Sequence, residues 1–280
     1  MTHSEAVREA ARLLRAAGIQ SPIRDSEDML RHLTGMARHE LVLAANMPVP
    51  GETLERFRAL AARRASREPL QHVTGEAWFM GRRFLCSPAA LVPRPETELV
   101  FERFLGALPR APDLLLDLGT GSGVMGVCLA LQFPQATIVG SDVSKEALHL
   151  AASNSALHGT GNLFLVRCDL MSAFSCLFDG IVANLPYIPG VAMDDLQPEV
   201  RFDPAVALDG GAGGMEVIER FVSSAHERVR PGGVLALEAS GRQICRIVRL
   251  LEGSNEWDRI AHGRDLAGRA RWVTAVRKPA

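Results

Sequence analysis

The period of the apolar positions changes along the chain, and the changes mark out its parts. Up to about residue 68 the period is helical. Ala6, Ala10, Leu13, Leu14 and Ile19 recur at helical spacing, and Gly18 stands where a first helix stops. A second helical stretch runs from Asp25 to about Leu33 and a third to about Ala45, before the Pro48-Val49-Pro50-Gly51 breaker. A fourth starts near Glu52 and carries Arg56, Arg58, Arg63, Arg64 and Arg67. Three or four short helices predict a small bundle over 1–68, a recognition or docking module. The arginine run reads either as a basic contact face or as the solvated side of one helix.

From about Leu70 to Pro95 the pattern shortens. Trp78 and Phe79, then Gly81, then Phe84 and Leu85 predict a hairpin within a linker spanning 69–95. Pro93 and Pro95 stiffen the end of this linker. Pro95 suits the first position of a helix, with Glu96 and Glu98 in its first turn facing the positive end of the dipole.

Over 96–280 apolar runs alternate with helical stretches. Strands are predicted at Leu114–Leu118, Thr137–Gly140, Leu163–Val166, Gly180–Ala183 and Val234–Glu238, with helices at about 123–132, 144–157 and 214–229. That alternation predicts an α/β, Rossmann-like doubly wound sheet. Trp257–Ala261 and Arg271–Val276 add a terminal hairpin.

Composition narrows the function classes. With 280 residues, 47% of them hydrophobic, the chain can build one large core, or a medium domain beside a small one. A net charge of −1 argues against a general nucleic-acid binder. Lys145 and Lys278 are the only lysines, so the positive charge is nearly all arginine. Five cysteines without a CxxC pair read as reduced thiols. The first fifteen residues hold no apolar leader core, and no apolar run reaches the roughly 18 residues of a membrane span. The expectation is a soluble, cytoplasmic protein that works as a monomer, with no membrane partner and no stable nucleic-acid partner.

The chemistry starts at the first strand of the sheet. Leu114-Leu115-Leu116-Asp117-Leu118 runs into Gly119-Thr120-Gly121-Ser122-Gly123, and a helix follows. Glycines there permit positive φ and a close approach of ligand to backbone. Gly121, Gly123 and Gly126 also satisfy the G-x-G-x-x-G of dinucleotide sites, a weak signal alone. Asp117 argues for a different ligand, because a carboxylate beside the turn repels a pyrophosphate. It suits the sulfonium and ammonium of S-adenosyl-L-methionine. Asp142, ending the second strand, is placed to accept hydrogen bonds from ribose hydroxyls, or else caps the next helix. Asp169 and Leu170, ending the third, could meet an adenine amino group and ring; Asp169 also reads as an ordinary loop acid.

The fourth strand ends in Asn184-Leu185-Pro186-Tyr187. Asn-x-Pro-Tyr here resembles the signature of enzymes that methylate planar amino or amide nitrogens. Such a nitrogen has a delocalised lone pair and is a poor nucleophile. Two carbonyl acceptors, one from asparagine and one from the backbone, can fix its N–H bonds and favour developing positive charge. Tyr187 would add an aromatic wall, and Pro186 rigidity.

These motifs extend further. Glu68-Pro69-Leu70-Gln71, Thr74-Gly75-Glu76, Pro93-Arg94-Pro95-Glu96-Thr97-Glu98, Val200-Arg201-Phe202-Asp203-Pro204, Ala207-Leu208-Asp209-Gly210-Gly211 and Asp265-Leu266-Ala267-Gly268-Arg269 accompany them. Together the chain resembles, over nearly its whole length, the HemK/PrmC family of protein-(glutamine-N5) methyltransferases. That family modifies the Gly-Gly-Gln loop of class I peptide chain release factors. The resemblance implies a small helical domain joined by a hairpin to a class I methyltransferase domain, S-adenosyl-L-methionine as cofactor and a release factor as protein partner. Cofactor contacts are expected from Asp117, Gly119, Thr120, Gly121, Ser122, Gly123, Asp142, Asp169, Leu170 and Asn184. Asn184, Leu185, Pro186 and Tyr187 are expected to grip the glutamine, with catalytic roles for Asn184, Pro186 and Tyr187, and no metal ligand is expected.

The chain departs from the family pattern in three places. Leu185 stands where the family has proline, Glu238-Ala239-Ser240 replaces Glu-x-Gly, and Gly211-Ala212-Gly213-Gly214-Met215 lacks an acidic residue. Two other substrates fit the same chemistry: a ribosomal-protein glutamine, and an adenine N6 of RNA or DNA. Few aromatics for base stacking, 5% of residues, count against the second. A non-catalytic cofactor-binding protein is a further reading, opposed by the intact glycine turn and Asn184–Tyr187.

Overall fold

The computed structural model describes residues 1–108 and 111–279, which form two compact units. The first unit contains Met1–Glu76 and the distant segment Gln197–Phe202. Its helices are α1 (His3–Ala16), α2 (Pro22–Thr34), α3 (Arg38–Leu43), α4 (Gly51–Ala65) and α5 (Leu70–Thr74). Thr2 and Glu5 close a capping box on α1, and Pro22 opens α2 three residues before the expected start. Ala6, Ala10, Leu14, Met29, Leu30 and Phe57 form the core, whereas Leu13 faces solvent. Helix α5 lies where the sequence pattern suggested only a linker.

The arginine run is not a free basic face. Arg58 pairs with Glu9, and Arg63 with Glu68. Buried Arg64 binds Asp25 at 2.9 Å and Glu199 at 3.2 Å, and Arg67 holds Glu199 at 2.7 Å. A planar guanidinium can donate to both carboxylates at once, which is why arginine suits this position better than lysine. The contact-face reading is therefore corrected for these four residues: their acidic partners occupy them.

The second unit holds the hairpin β1 (Glu76–Phe79) and β2 (Arg82–Leu85), then α6 (Pro95–Ala107) and a seven-stranded sheet. Its strands are β3 (Leu114–Leu118), β4 (Thr137–Asp142), β5 (Leu163–Arg167), β6 (Phe178–Ala183), β7 (Val229–Glu238), β8 (Trp257–Arg264) and β9 (Ala270–Arg277), in the order β5-β4-β3-β6-β7-β9-β8. The first five in this order run parallel, and β9 pairs antiparallel with both β7 and β8.

Alternation of side chains sends apolar residues to both faces of the sheet. Leu115, Val182, Val234 and Ala236 join Phe101 and Phe104 of α6 and the residues of α7 (Val124–Gln132). Leu116, Ile181, Leu235 and Leu237 pack with α9 (Glu216–Ser224) and α10 (Gly241–Gly253). Helix α10 is absent from the elements read in the sequence. Its signals were there: Ile244, Ile247 and Leu251 at helical spacing behind a Ser240/Gln243 capping box.

Helix α8 (Lys145–His158) links the hairpin to the site. Buried Asn154 accepts from Leu85 N at 2.7 Å and donates to Leu85 O and Ser122 O at 3.1 and 2.8 Å. Among the described residues, no helix is long and apolar enough to cross a membrane.

Candidate active site

The strand order reverses between β3 and β6, so the carboxyl ends of these strands diverge there and leave a crevice. A cavity of about 480 Å³ occupies it. Four of the expected segments contribute to its wall: Gly119–Ser122, Asp142, Asp169–Leu170 and Asn184–Pro186. Asp117, Gly123 and Tyr187 do not line it.

Asp117 sits behind the glycine turn with no exposed surface. Its Oδ2 accepts from Thr120 Oγ1 at 2.6 Å and Gly126 N at 2.7 Å, so the carboxylate braces the turn from beneath. That corrects the expectation of a ligand-facing acid. Its Oδ1 is buried with no hydrogen-bond partner. Burial pushes the carboxyl up to about 6, against the Thr120 and Gly126 hydrogen bonds, and the Asp142 charge adds to the rise.

A raised folded-state pKa favours the protonated form. The stability Asp117 contributes is thus complete below its unfolded pKa, about 3.9, and is lost as pH rises through about 6. Asp117→Asn, which cannot ionise, is expected to remove that loss. Denaturation between pH 4 and 7 should show wild type losing about 2 kcal/mol relative to the variant. A difference that stays constant with pH would contradict this.

The turn itself closes through Thr120 N to Ser141 O and Gly123 N to Thr120 O, both 2.8 Å. Gly119 has φ +70°, and a Cβ there would stand 3.2 Å from Leu185 Cδ2. A side chain at Gly119 would thus have to push Leu185 back by a few tenths of an ångström as well as adopt a left-handed backbone. Asp142 accepts from Gly121 N through Oδ2 and from Ser144 N through Oδ1, each at 2.9 Å, and burial raises its pKa. The cap of α8 is Ser144, which accepts from Ala147 N, so capping does not explain Asp142.

Asp169 is exposed and paired with Arg220 across the cavity wall. Leu170 beside it has φ +47°, a left-handed conformation that is strained for leucine.

At the end of β6, Asn184 donates from Nδ2 to Thr97 Oγ1 at 3.2 Å, and its Oδ1 has no partner among the described residues. Leu185 is buried in the core, and its carbonyl accepts no hydrogen bond among the described residues. Tyr187 directs its hydroxyl at Glu238 Oε1, 3.4 Å away, and its carbonyl accepts from Gln243 Nε2 at 2.8 Å. The pull of Glu238 explains why it is missing from the cavity wall. Burial and the Glu238 charge push its phenol up to about 12.

Thr97, Arg94 and Glu238 are not among the site residues expected from the sequence. Thr97 and Arg94 line the cavity, and Arg94 is held at 2.7 Å by buried Asp203. Both lay inside the Pro93–Glu98 motif, which marks the segment without telling which side chains turn inward. The two arginines of the wall, Arg94 and Arg220, are each engaged by an aspartate. With both arginines engaged, the wall offers a ligand apolar surface, the backbone of the glycine turn, the Asp142 and Asp209 carboxylates and Asn184. It fits a nucleoside free of phosphate and carrying positive charge.

A Rossmann-like parallel sheet with one antiparallel strand, β9, inserted beside its edge strand, and with these groups at its switch point, defines a class I methyltransferase. A methyltransferase from Pyrococcus furiosus shares this fold, with a TM-score of 0.54 at 18% identity over 71% of this chain and 90% of its own. The profile described as the PrmC N-terminal domain matches residues 5–75, and that of the methyltransferase small domain matches 97–199. The release factor glutamine methyltransferase of Deinococcus radiodurans is 38% identical over 95% of both chains. That of Cereibacter sphaeroides is 37% identical over 98% of both. The chain belongs to the release factor glutamine methyltransferase family.

Proposed function

We propose that this protein transfers a methyl group from S-adenosyl-L-methionine to the side-chain amide nitrogen of the glutamine in the Gly-Gly-Gln motif of a class I peptide chain release factor. One observation carries this reading: the acceptor pair at Asn184 and Leu185 stands at the wall of the same cavity as the glycine turn and Asp142. Gly119, Thr120, Gly121, Ser122, Asp142, Asp169 and Leu170 would hold the cofactor, with Asp117 and Gly123 shaping the turn. Bound there, it supplies an electrophilic methyl group on a sulfonium.

The chain's own groups prepare the nucleophile. Asn184 Oδ1 and the Leu185 carbonyl, both without a partner among the described residues, accept the two N–H bonds of the glutamine amide. Held by both, the nitrogen keeps one orientation, which removes an entropic part of the barrier. Positive charge develops on the nitrogen as its bond to carbon forms and the methyl–sulfur bond breaks, and one N–H proton is then lost to water; the two carbonyl dipoles therefore bind the transition state more strongly than the neutral amide. Leu185 supplies the same main-chain acceptor as the family's proline.

Transfer of labelled methyl can be measured on purified release factor, ribosomal protein and ribosomal RNA side by side. Label in the release factor alone supports this reading. Label only in ribosomal protein or RNA would replace it with one of the other two substrates.

Residues 1–68 we assign to docking of the whole release factor. Their removal is expected to raise KM for that protein by roughly tenfold, which is 1.4 kcal/mol of lost contact, and to leave methylation of a short Gly-Gly-Gln peptide unchanged. Equal kinetics on the whole protein would contradict a docking role.

A further inference from the structure

Behind Asn184 lies a chain of buried polar groups that methyl transfer itself does not use. Thr97, on the first turn of α6 and 5% exposed, donates from Oγ1 to Glu238 Oε2 at 2.6 Å. Glu238 ends β7 and is 1% exposed. Its other oxygen receives the Tyr187 hydroxyl at 3.4 Å. Burial pushes the Glu238 carboxyl up and the Glu96 charge adds to the rise; the Thr97 hydroxyl, the Arg271 charge and the Tyr187 hydroxyl offset it only in part.

The direction of these bonds follows from donor counting. Each carboxyl oxygen of Glu238 faces one hydroxyl, Oε2 that of Thr97 and Oε1 that of Tyr187, and the carboxylate form accepts both protons. Thr97 has one proton and spends it on Glu238. Its oxygen then offers only lone pairs to Asn184, 3.2 Å away. An asparagine amide has two ends of nearly equal shape, one donating and one accepting. Facing lone pairs, it must present its NH₂, which turns Oδ1 the other way. The flipped amide would set carbonyl oxygen against hydroxyl oxygen with no proton between them, leaving a buried acceptor pair unsatisfied.

We infer that Thr97 and Glu238 are positioning residues, a proton-directed relay that holds the Asn184 side chain with its carbonyl available to the substrate's N–H and its amide group turned inward. Neither need touch the substrate. The relay explains why a carboxylate lies buried at the end of β7 and why the Pro93–Glu98 segment places a hydroxyl on the first turn of α6. It also gives Tyr187 a role other than a cavity wall, as the second donor that keeps Glu238 an acceptor. The inference rests on the proposed reading of Asn184 as an amide acceptor.

Two substitutions at one position separate relay from packing. Thr97→Val keeps the shape and loses the hydroxyl; Thr97→Ser keeps the hydroxyl. With full-length protein and purified release factor, Thr97→Val is expected to lower kcat roughly 10- to 100-fold, the scale of a misoriented catalytic group. KM and cofactor affinity should change less than about threefold, since uniform binding is untouched. Thr97→Ser should restore kcat to within about threefold of wild type. Equal kcat for the two variants would overturn the relay.

A second measurement needs no substrate. The Asn184 side-chain NH₂ resonances, assigned by their loss in Asn184→Ala, should shift in Thr97→Val and stay near wild type in Thr97→Ser. Unchanged resonances in Thr97→Val overturn the relay, and this holds if Thr97→Val folds poorly in turnover assays, because folded protein alone gives dispersed signals. If wild type methylates no release factor while the resonances respond as stated, the functional reading fails and the relay stands.

Discussion

Asn184→Ala is expected to lower kcat for methylation of the release factor by roughly 100-fold or more, the usual cost of one acceptor or donor matched to transition-state charge. The substitution removes Oδ1, one of two acceptors for the amide N–H bonds, and leaves the Leu185 carbonyl in place. A nitrogen held by one acceptor can rotate, so both orientation and charge stabilisation suffer. Asn184 is one of several residues lining the cavity, beside the glycine turn and Asp142, so cofactor affinity should fall less than about tenfold. The split is measurable by single-turnover kinetics and equilibrium titration on the same sample. Turnover near wild type would remove Asn184 from the chemistry.

Gly123→Ala is expected to destabilise the second unit by about 2–5 kcal/mol. Gly123 caps α7 at φ +81°, a left-handed conformation that costs alanine roughly 1–2 kcal/mol. A Cβ there would also meet Ala151 Cβ at 2.9 Å and Ala151 Cα at 3.0 Å. The second contact is with backbone of α8, so no side chain can swing aside and the helices must part. Overpacking of this kind costs roughly 1–3 kcal/mol. Gly159→Ala is the control, because Gly159 has φ +66° and nothing within 4 Å of an added Cβ. It should show the conformational part alone. At roughly 2–4 °C per kcal/mol, Gly123→Ala should melt well below Gly159→Ala. Equal melting temperatures would show that the two helices do not press on Gly123.

The parallel strands were legible because each is a compact apolar run, and the glycine turn because its spacing follows such a run directly. Asn184 was legible for the same reason: it ends a strand, and strand ends at the switch point face the crevice. What was hidden is direction and distance. Asp117 lies in the expected register, yet nothing local tells whether a carboxylate at a strand end turns toward ligand or back under the turn; here Thr120 and Gly126 draw it back. Tyr187 is drawn away from the cavity by Glu238, 51 residues further along the chain. The partners of Arg64 and Arg67 include Glu199, 135 and 132 residues away. A local reading sees a run of positive charge and misses the acid that neutralises it. Helix α5 is five residues long, too short for a period to register. Helix α10, by contrast, carries both its cap and its period in the sequence.

Methylation of one amide nitrogen by a site built around Asn184 can be read by tandem mass spectrometry of purified release factor after incubation with the protein and isotopically labelled S-adenosyl-L-methionine. A single labelled methyl group is expected on the glutamine of the Gly-Gly-Gln motif, absent when Asn184→Ala replaces wild type. A methyl group on any other residue, or one that survives that substitution undiminished, would contradict it.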